Sequence, residues 1–191
     1  SLNDRTGGFE LYDWDNTLLW SFYYGTQHHD VEYLPNGNVL MVVTDRQNSD
    51  PAIQAGRKPE LIAGGHIRST SILEIKKTGE NTGDIVWQWK AWDHLIQNFD
   101  INKDNFGVIV DHPELIDINF VMDEEGGGVS DWLHTNSVSY NEEFDQIILS
   151  NRGTSEIWII DHSIEPNSTS SHAGGNSGKG GDLLYRWGNP I

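Results

Sequence analysis

The chain has 191 residues, enough for one well-cored domain, and its 29 acidic against 12 basic residues give a formal net charge of −17. Such a field repels nucleic acid and anionic membrane, no local cluster of Lys and Arg offsets it, and no run is long and apolar enough for a membrane-spanning helix. Cysteine is absent, which removes disulfides and thiolate metal sites but leaves the compartment open, while 8 Trp and 20 Gly point to many short strands joined by tight turns.

The first element, 9–22, ends on Leu18-Leu19-Trp20-Ser21-Phe22: two aliphatics, an aromatic, any residue, an aromatic. The same pattern returns at Ile85-Val86-Trp87-Gln88-Trp89 and at Leu183-Leu184-Tyr185-Arg186-Trp187. Between the first two lie an alternating hairpin, Val31-Glu32-Tyr33 with Val39 to Val43, and a further strand, Ser71 to Ile75. Between the last two, the hairpin recurs as Val138-Ser139-Tyr140 with Ile147 to Leu149, and the strand as Ser155 to Ile160. Order is the same in both copies. Four short strands per unit, repeated with irregular inserts, is the signature of a β-propeller blade.

The expected fold is therefore all-β: a single incomplete β-propeller domain over 1–191 with about two and a half four-stranded blades. Residues 9–22 end one blade, 27–92 form the second and 132–187 the third, with inserts at 48–68, 93–130 and 163–180. The last insert is rich in Ser and Gly and reads as a mobile surface loop. Propellers close with four or more blades, so two blade faces are left bare, and self-association or pairing with the remainder of a propeller is expected. Ser1 opens the chain without the charged-then-apolar pattern of a signal peptide, which suits a mature secreted form and an excised piece alike.

The segment DWLHTNSVSYNEEFDQIILSNR carries the first candidate chemistry. His134 and Arg152 lie equally far from the turn near Glu143, so they belong at the same end of one antiparallel hairpin. Asn136 is two residues from His134, and strand alternation places the two side chains on one face. In the earlier unit, aligning Val31 with Val138 sets His29 beside this group, facing as Gln27 does and opposite to His28. Arg supplies a rigid fork of donors for a tetrahedral oxyanion, and His and Asn add further hydrogen bonds, so a sulfate or phosphate group is the natural guest. The plainer reading is that polar residues at strand ends only satisfy loop backbone groups.

Together HHDVEYLPNGNVLMV, WKAWDHLIQNFD, DHPELIDINF, the segment above, SEIWIIDHS and GGNSGKGGDLLYRWGNP resemble the bacterial arylsulfate sulfotransferase family over most of the chain. HTNS followed by Arg152 is the most specific element. The resemblance implies a six-bladed propeller that moves a sulfuryl group from an aryl sulfate to a phenol without nucleotide-activated sulfate. It further implies transfer by ping-pong through a sulfated histidine and a periplasmic or secreted location. By motif, His134 and Arg152 match catalytic positions, and His29 and Asn136 match substrate-binding ones. The sulfated histidine matches nothing here and is expected beyond Ile191, so the chain alone is expected to be inactive. The small-molecule partners implied are an aryl sulfate and a phenol.

Other features are weaker. Asp100, Asn102 and Asp104, with Asp111, imitate part of a calcium loop, yet Asn105 replaces its glycine and an Asx-rich turn is the alternative. No other cofactor is expected. His28, His66, His94, His112, His162 and His172 show no metal-ligand spacing. Gly126 to Gly128 and Gly178 to Gly181 lack the strand-to-helix setting of a phosphate loop and read as connectors. Asn167-Ser168-Thr169 is a glycosylation triplet, relevant only to a eukaryotic secretory source. A non-catalytic module that assembles with other chains, and a hydrolase or lyase using the same pocket, stand as alternatives to the transferase.

Overall fold

A computed structural model describes residues 7–121 and 130–188. Gly126 to Gly128 and the end of the WGNP segment lie outside the described residues. The elements in chain order are β1 (Phe9–Tyr12), β2 (Leu18–Phe22), β3 (Gln27–Tyr33), β4 (Val39–Asn48) and a short α1 (Ser49–Gln54). Then follow β5 (His66–Gly79), β6 (Thr82–Lys90), β7 (Leu95–Ile96), β8 (Ile116–Asp117), β9 (Thr135–Asn141), β10 (Gln146–Asn151), β11 (Glu156–Asp161) and β12 (Tyr185–Gly188). They form two four-stranded antiparallel sheets, β3-β4-β5-β6 and β9-β10-β11-β12, the β1-β2 hairpin, and a parallel β7-β8 pair. The protein is all-β and none of these sheets closes on itself.

Period-two alternation explains how the sheets stack. In β4, Val39, Met41 and Val43 turn to one side, where Phe9 and Trp20 of the β1-β2 hairpin and Leu73 and Ile75 of β5 complete a small core. Leu40 and Val42 turn to the other, where they join Ile72, Trp87 and Trp89 against Val138, Ile147, Leu149, Trp158 and Ile160 of the second sheet. Both faces of β4 are thus covered, and its first five residues are all buried. Among the described residues, the second sheet has one covered face only. On its other side Ile148, Ile157 and Ile159 are half-buried and Tyr185 and Trp187 are exposed, at 55% and 65%.

Buried indoles need partners for their N–H groups, and the inserts supply them. Trp87 donates to the carbonyl of Ile164 (3.0 Å) and Trp89 to that of Gly181 (2.6 Å). Trp132 donates to Phe120 O (2.9 Å). The Ser/Gly-rich insert, read from composition as a mobile loop, is instead tied down. Buried Asp161 accepts hydrogen bonds from the amide and hydroxyl of Ser163 and of Ser177, which hold its carboxyl below the usual carboxylate range. Short hydroxyl side chains that look featureless in the sequence are here the donors that satisfy one buried carboxylate. In the first insert, Arg57 is fully buried, donates to the carbonyls of Ile118 and Leu61, and lies over the Trp132 ring. Burial brings it down to about 10.

Candidate anion site

The two sheets meet along β3 and β9, and Asp30 stitches them together. One carboxylate oxygen accepts the Val31 amide of its own strand (3.0 Å) and the other accepts the Val138 amide across the seam (3.1 Å). This pins the start of β3 to the start of β9, and with them His29 to His134. Their Nε2 atoms are 3.0 Å apart.

Both histidines sit in left-handed backbone, with φ 61° at His29 and 46° at His134. That conformation is uncommon for a side-chain-bearing residue and marks positions that the surroundings over-determine. It also breaks the alternation from which the sequence argument placed Asn136 beside His134. β9 begins only at Thr135, and its register against β10 shifts, Ser137 pairing with Ser150 but Thr135 with Asn151. Asn136 is the extra residue of a bulge and is exposed. A second correction concerns His28. The register of β3 against β4 also shifts between Gln27 and Val31, and the His28 ring lies 4.1 Å from His29 and 5.1 Å from His134 rather than on the opposite face.

Arg152 falls where the hairpin reading sets it, beside His134: its amide donates to His134 O (3.2 Å) and the next amide, Gly153, to Leu133 O (2.8 Å). The Arg152 side chain is exposed. Behind this corner is a buried hydroxyl and amide layer, Thr70 to Thr135 (2.7 Å) and Thr135 to Asn151 (2.6 Å), which fixes the strand ends. Gly153 has no room for a side chain, since a Cβ there lies 2.0 Å from Trp132 O. Gly153→Ala is expected to push the β10-β11 corner away from His134 and destabilise the fold by about 1–3 kcal/mol. A denaturant midpoint equal to wild type contradicts this.

Asp131 is the neighbour that sequence reasoning did not single out. It accepts from Nδ1–H of His134 (2.7 Å) and lies 3.9 Å from Nε2 of His28. A bridge to Arg68 at the start of β5 holds its backbone in place. The only signal was its position three residues before His134, too common to notice without the bridge. Burial pushes His28 below its ordinary value, helped by His29, His134 and Arg68 and opposed by Asp131. His28 is therefore neutral near pH 7.

Asp100 Oδ1 accepts the backbone and side-chain amides of Asn102, and Asp104 accepts Gln54 Nε2. Gln97 knits the rest of that loop, accepting from the amides of Phe99 and Asp100 and donating to the carbonyls of Asp100 and Asp104. A cavity of about 860 Å³ runs along β12 and is separate from the histidine corner. Of the two cationic residues that line it, Lys179 and Arg186, the latter is already paired with buried Glu156 at 2.7 Å.

A search of curated proteins finds no match. The family model described as Arylsulfotransferase (ASST) matches residues 15–166, a span that takes in the whole His29, His134, Asn136 and Arg152 corner. The chain belongs to the arylsulfotransferase family.

Proposed function

We propose that this chain supplies the sulfuryl-binding corner of a propeller arylsulfate sulfotransferase, and that the two four-stranded sheets and the β1-β2 hairpin are two blades and the end of a third. Three stacked layers, two of them four-stranded sheets with the same sequential strand order and the third a hairpin, support the propeller reading. The half-covered second sheet is then the face on which a further blade, or another chain, packs. The domain boundaries follow: 9–22, 27–92 and 132–187, with inserts between.

The observation that carries the functional reading is the 3.0 Å approach of His29 to His134 across two sheets, with Arg152 on the adjoining strand end. Nothing in strand packing calls for two imidazoles in left-handed backbone at a solvent-facing seam. A tetrahedral oxyanion does: Arg152 offers a fork of donors, and His29, His134 and Asn136 add single ones. In the reaction, a histidine outside this site attacks sulfur, the phenoxide departs, and a second phenol takes the sulfuryl group back. Sulfur–oxygen bonds to the aryl groups break and re-form with no net hydrolysis. Arg152 and His134 stabilise the charge spread over the sulfuryl oxygens, and His29 and Asn136 hold the donor. His134, oriented by Asp131, is placed to hand a proton to the departing phenoxide. The reading needs no nucleotide-activated sulfate and no cofactor, and a periplasmic or secreted location goes with it.

The test is to supply 4-nitrophenyl sulfate, with and without phenol, to this chain within the complete propeller that carries the attacking histidine. Nitrophenolate release matched by phenyl sulfate formation is expected. Release matched by inorganic sulfate points to a hydrolase, and binding of 4-nitrophenyl sulfate without any release points to the non-catalytic module.

A further inference from the structure

We propose that His28, His29 and His134 form a three-imidazole site for a divalent transition metal of the zinc class. Each offers one ring nitrogen, and the three donor atoms lie within 4.8 Å of one another. Tetrahedral zinc with bonds of 2.0–2.1 Å sets its ligand nitrogens about 3.3 Å apart, so the His29 and His134 Nε2 atoms, at 3.0 Å, are already near the required separation. His28 lies on a quarter-exposed side chain with its donor no more than 4.8 Å from the other two, so it needs to close by up to about 1.5 Å.

Asp131 makes the set more than a chance cluster. By accepting Nδ1–H of His134 at 2.7 Å it fixes the tautomer that leaves the Nε2 lone pair free, the carboxylate–histidine arrangement that orients metal ligands. His28 adds a lone pair of its own, because its Nε2 stands 3.9 Å from Asp131, outside hydrogen-bond range. Three imidazole ligands without thiolates suit zinc, cobalt, nickel or copper rather than calcium or magnesium. Arg68 also acts on His28 and opposes a cation, while Asp131 supplies a compensating carboxylate 3.9 Å from His28 Nε2 and 2.7 Å from His134 Nδ1. With three protein ligands, a fourth position is left for water, and because the same His29 and His134 nitrogens serve the sulfuryl group in the proposed transfer, metal and aryl sulfate exclude one another.

The other cluster of this kind among the described residues, His94, His172 and Asp182, is a poor rival. Both nitrogens of buried His94 are already engaged, one by Asp182 (2.8 Å) and one by the carbonyl of Thr169 (2.9 Å). His172→Ala is therefore the control.

The experiment is calorimetric titration of the metal-stripped full chain with zinc chloride, with no sulfate ester present, so that its outcome is independent of any transfer activity. One ion per chain is expected. His28→Ala and His134→Ala should each weaken binding at least tenfold and Asp131→Asn by about 10–100-fold, the effect of removing an orienting carboxylate. Thermal unfolding provides a second readout: zinc should raise the midpoint of wild type and of His172→Ala but not of His28→Ala. Absence of saturable binding overturns the proposal, as does unchanged affinity in the His28→Ala and His134→Ala variants or its loss in His172→Ala.

Discussion

In the complete propeller that carries the attacking histidine, Arg152→Ala should lower kcat/KM for transfer from 4-nitrophenyl sulfate to phenol by about 10²–10³-fold, the cost of removing one donor from charge developing in a transition state. The Arg152 side chain is exposed, and the contact that shapes the corner is made by its backbone amide, which alanine keeps. Stability should therefore match wild type. Arg152→Lys should recover only part of the loss, because an ammonium is a point charge and not a planar fork. His134→Ala belongs to the same class but removes two things at once: a donor at the sulfuryl oxygens and the ring that Asp131 orients. Asp131→Asn separates them, leaving the imidazole in place with its orienting carboxylate gone. A loss below tenfold for Arg152→Ala, measured from initial rates of nitrophenolate release, sinks the assignment of this corner to the sulfuryl group.

The second large effect is on stability and lies at the opposite end of the same seam. His162, just past β11, donates through Nδ1 to Asp145 (2.7 Å) and through Nε2 to Glu74 of β5 (3.0 Å), so one imidazolium joins the two sheets. Glu74 is buried and takes two further amide donors, Asn36 (3.1 Å) and Asn38 (2.6 Å). Burial alone raises the Glu74 carboxyl, but His162, Asn38 and Asn36 prevail and hold it down at about 2, against an ordinary 4.5. Burial opposes charge on His162 too, yet the two carboxylates raise it above its ordinary 6.5. Tyr140, pushed up to about 12 by burial and by Asp145, stays protonated and donates to Asp145 at 2.8 Å.

The sign of the pH dependence follows from linkage. Glu74 has a depressed value in the folded state, so its contribution is present above 4.5 and is lost as pH falls toward 2. His162 has a raised value, so its contribution is complete below 6.5 and is lost as pH climbs through the raised value. Stability from this clamp is therefore greatest between those two ordinary values and declines on the alkaline side. His162→Ala should cost about 2–4 kcal/mol near pH 6, less than a fully sequestered pair because Asp145 reaches water. The difference from wild type should shrink as pH rises. Urea midpoints of both proteins from pH 5 to 9 check this, and a difference that grows with pH refutes it.

The strands were legible in the sequence because each carries its own signal. In Val39 to Val43 and Ile147 to Leu149, β-branched and aliphatic residues alternate between faces, and a strand reads that way whichever sheet it joins. The hairpin arithmetic that put Arg152 beside His134 also needs only a turn and an antiparallel ladder. Alternation failed at His29, His134 and Asn136. A bulge and two left-handed residues reset the period there, and nothing local in HHD or HTN announces either. His28 was discarded for lack of ligand spacing, yet His29 and His134 stand 105 positions apart and meet only because Asp30 crosses from one sheet to the amide of Val138.

By itself, then, the sequence determined an all-β chain of repeated four-stranded units, its family, and the residue types suited to an oxyanion, because these rest on side-chain pattern within a few residues. Only the tertiary structure decided that the Ser/Gly-rich insert is pinned by Asp161, that Asp131 orients His134, and that His162 clamps the sheets through Glu74. Each depends on a polar group finding its partner across a seam between sheets. Burial, not local propensity, makes that partner necessary.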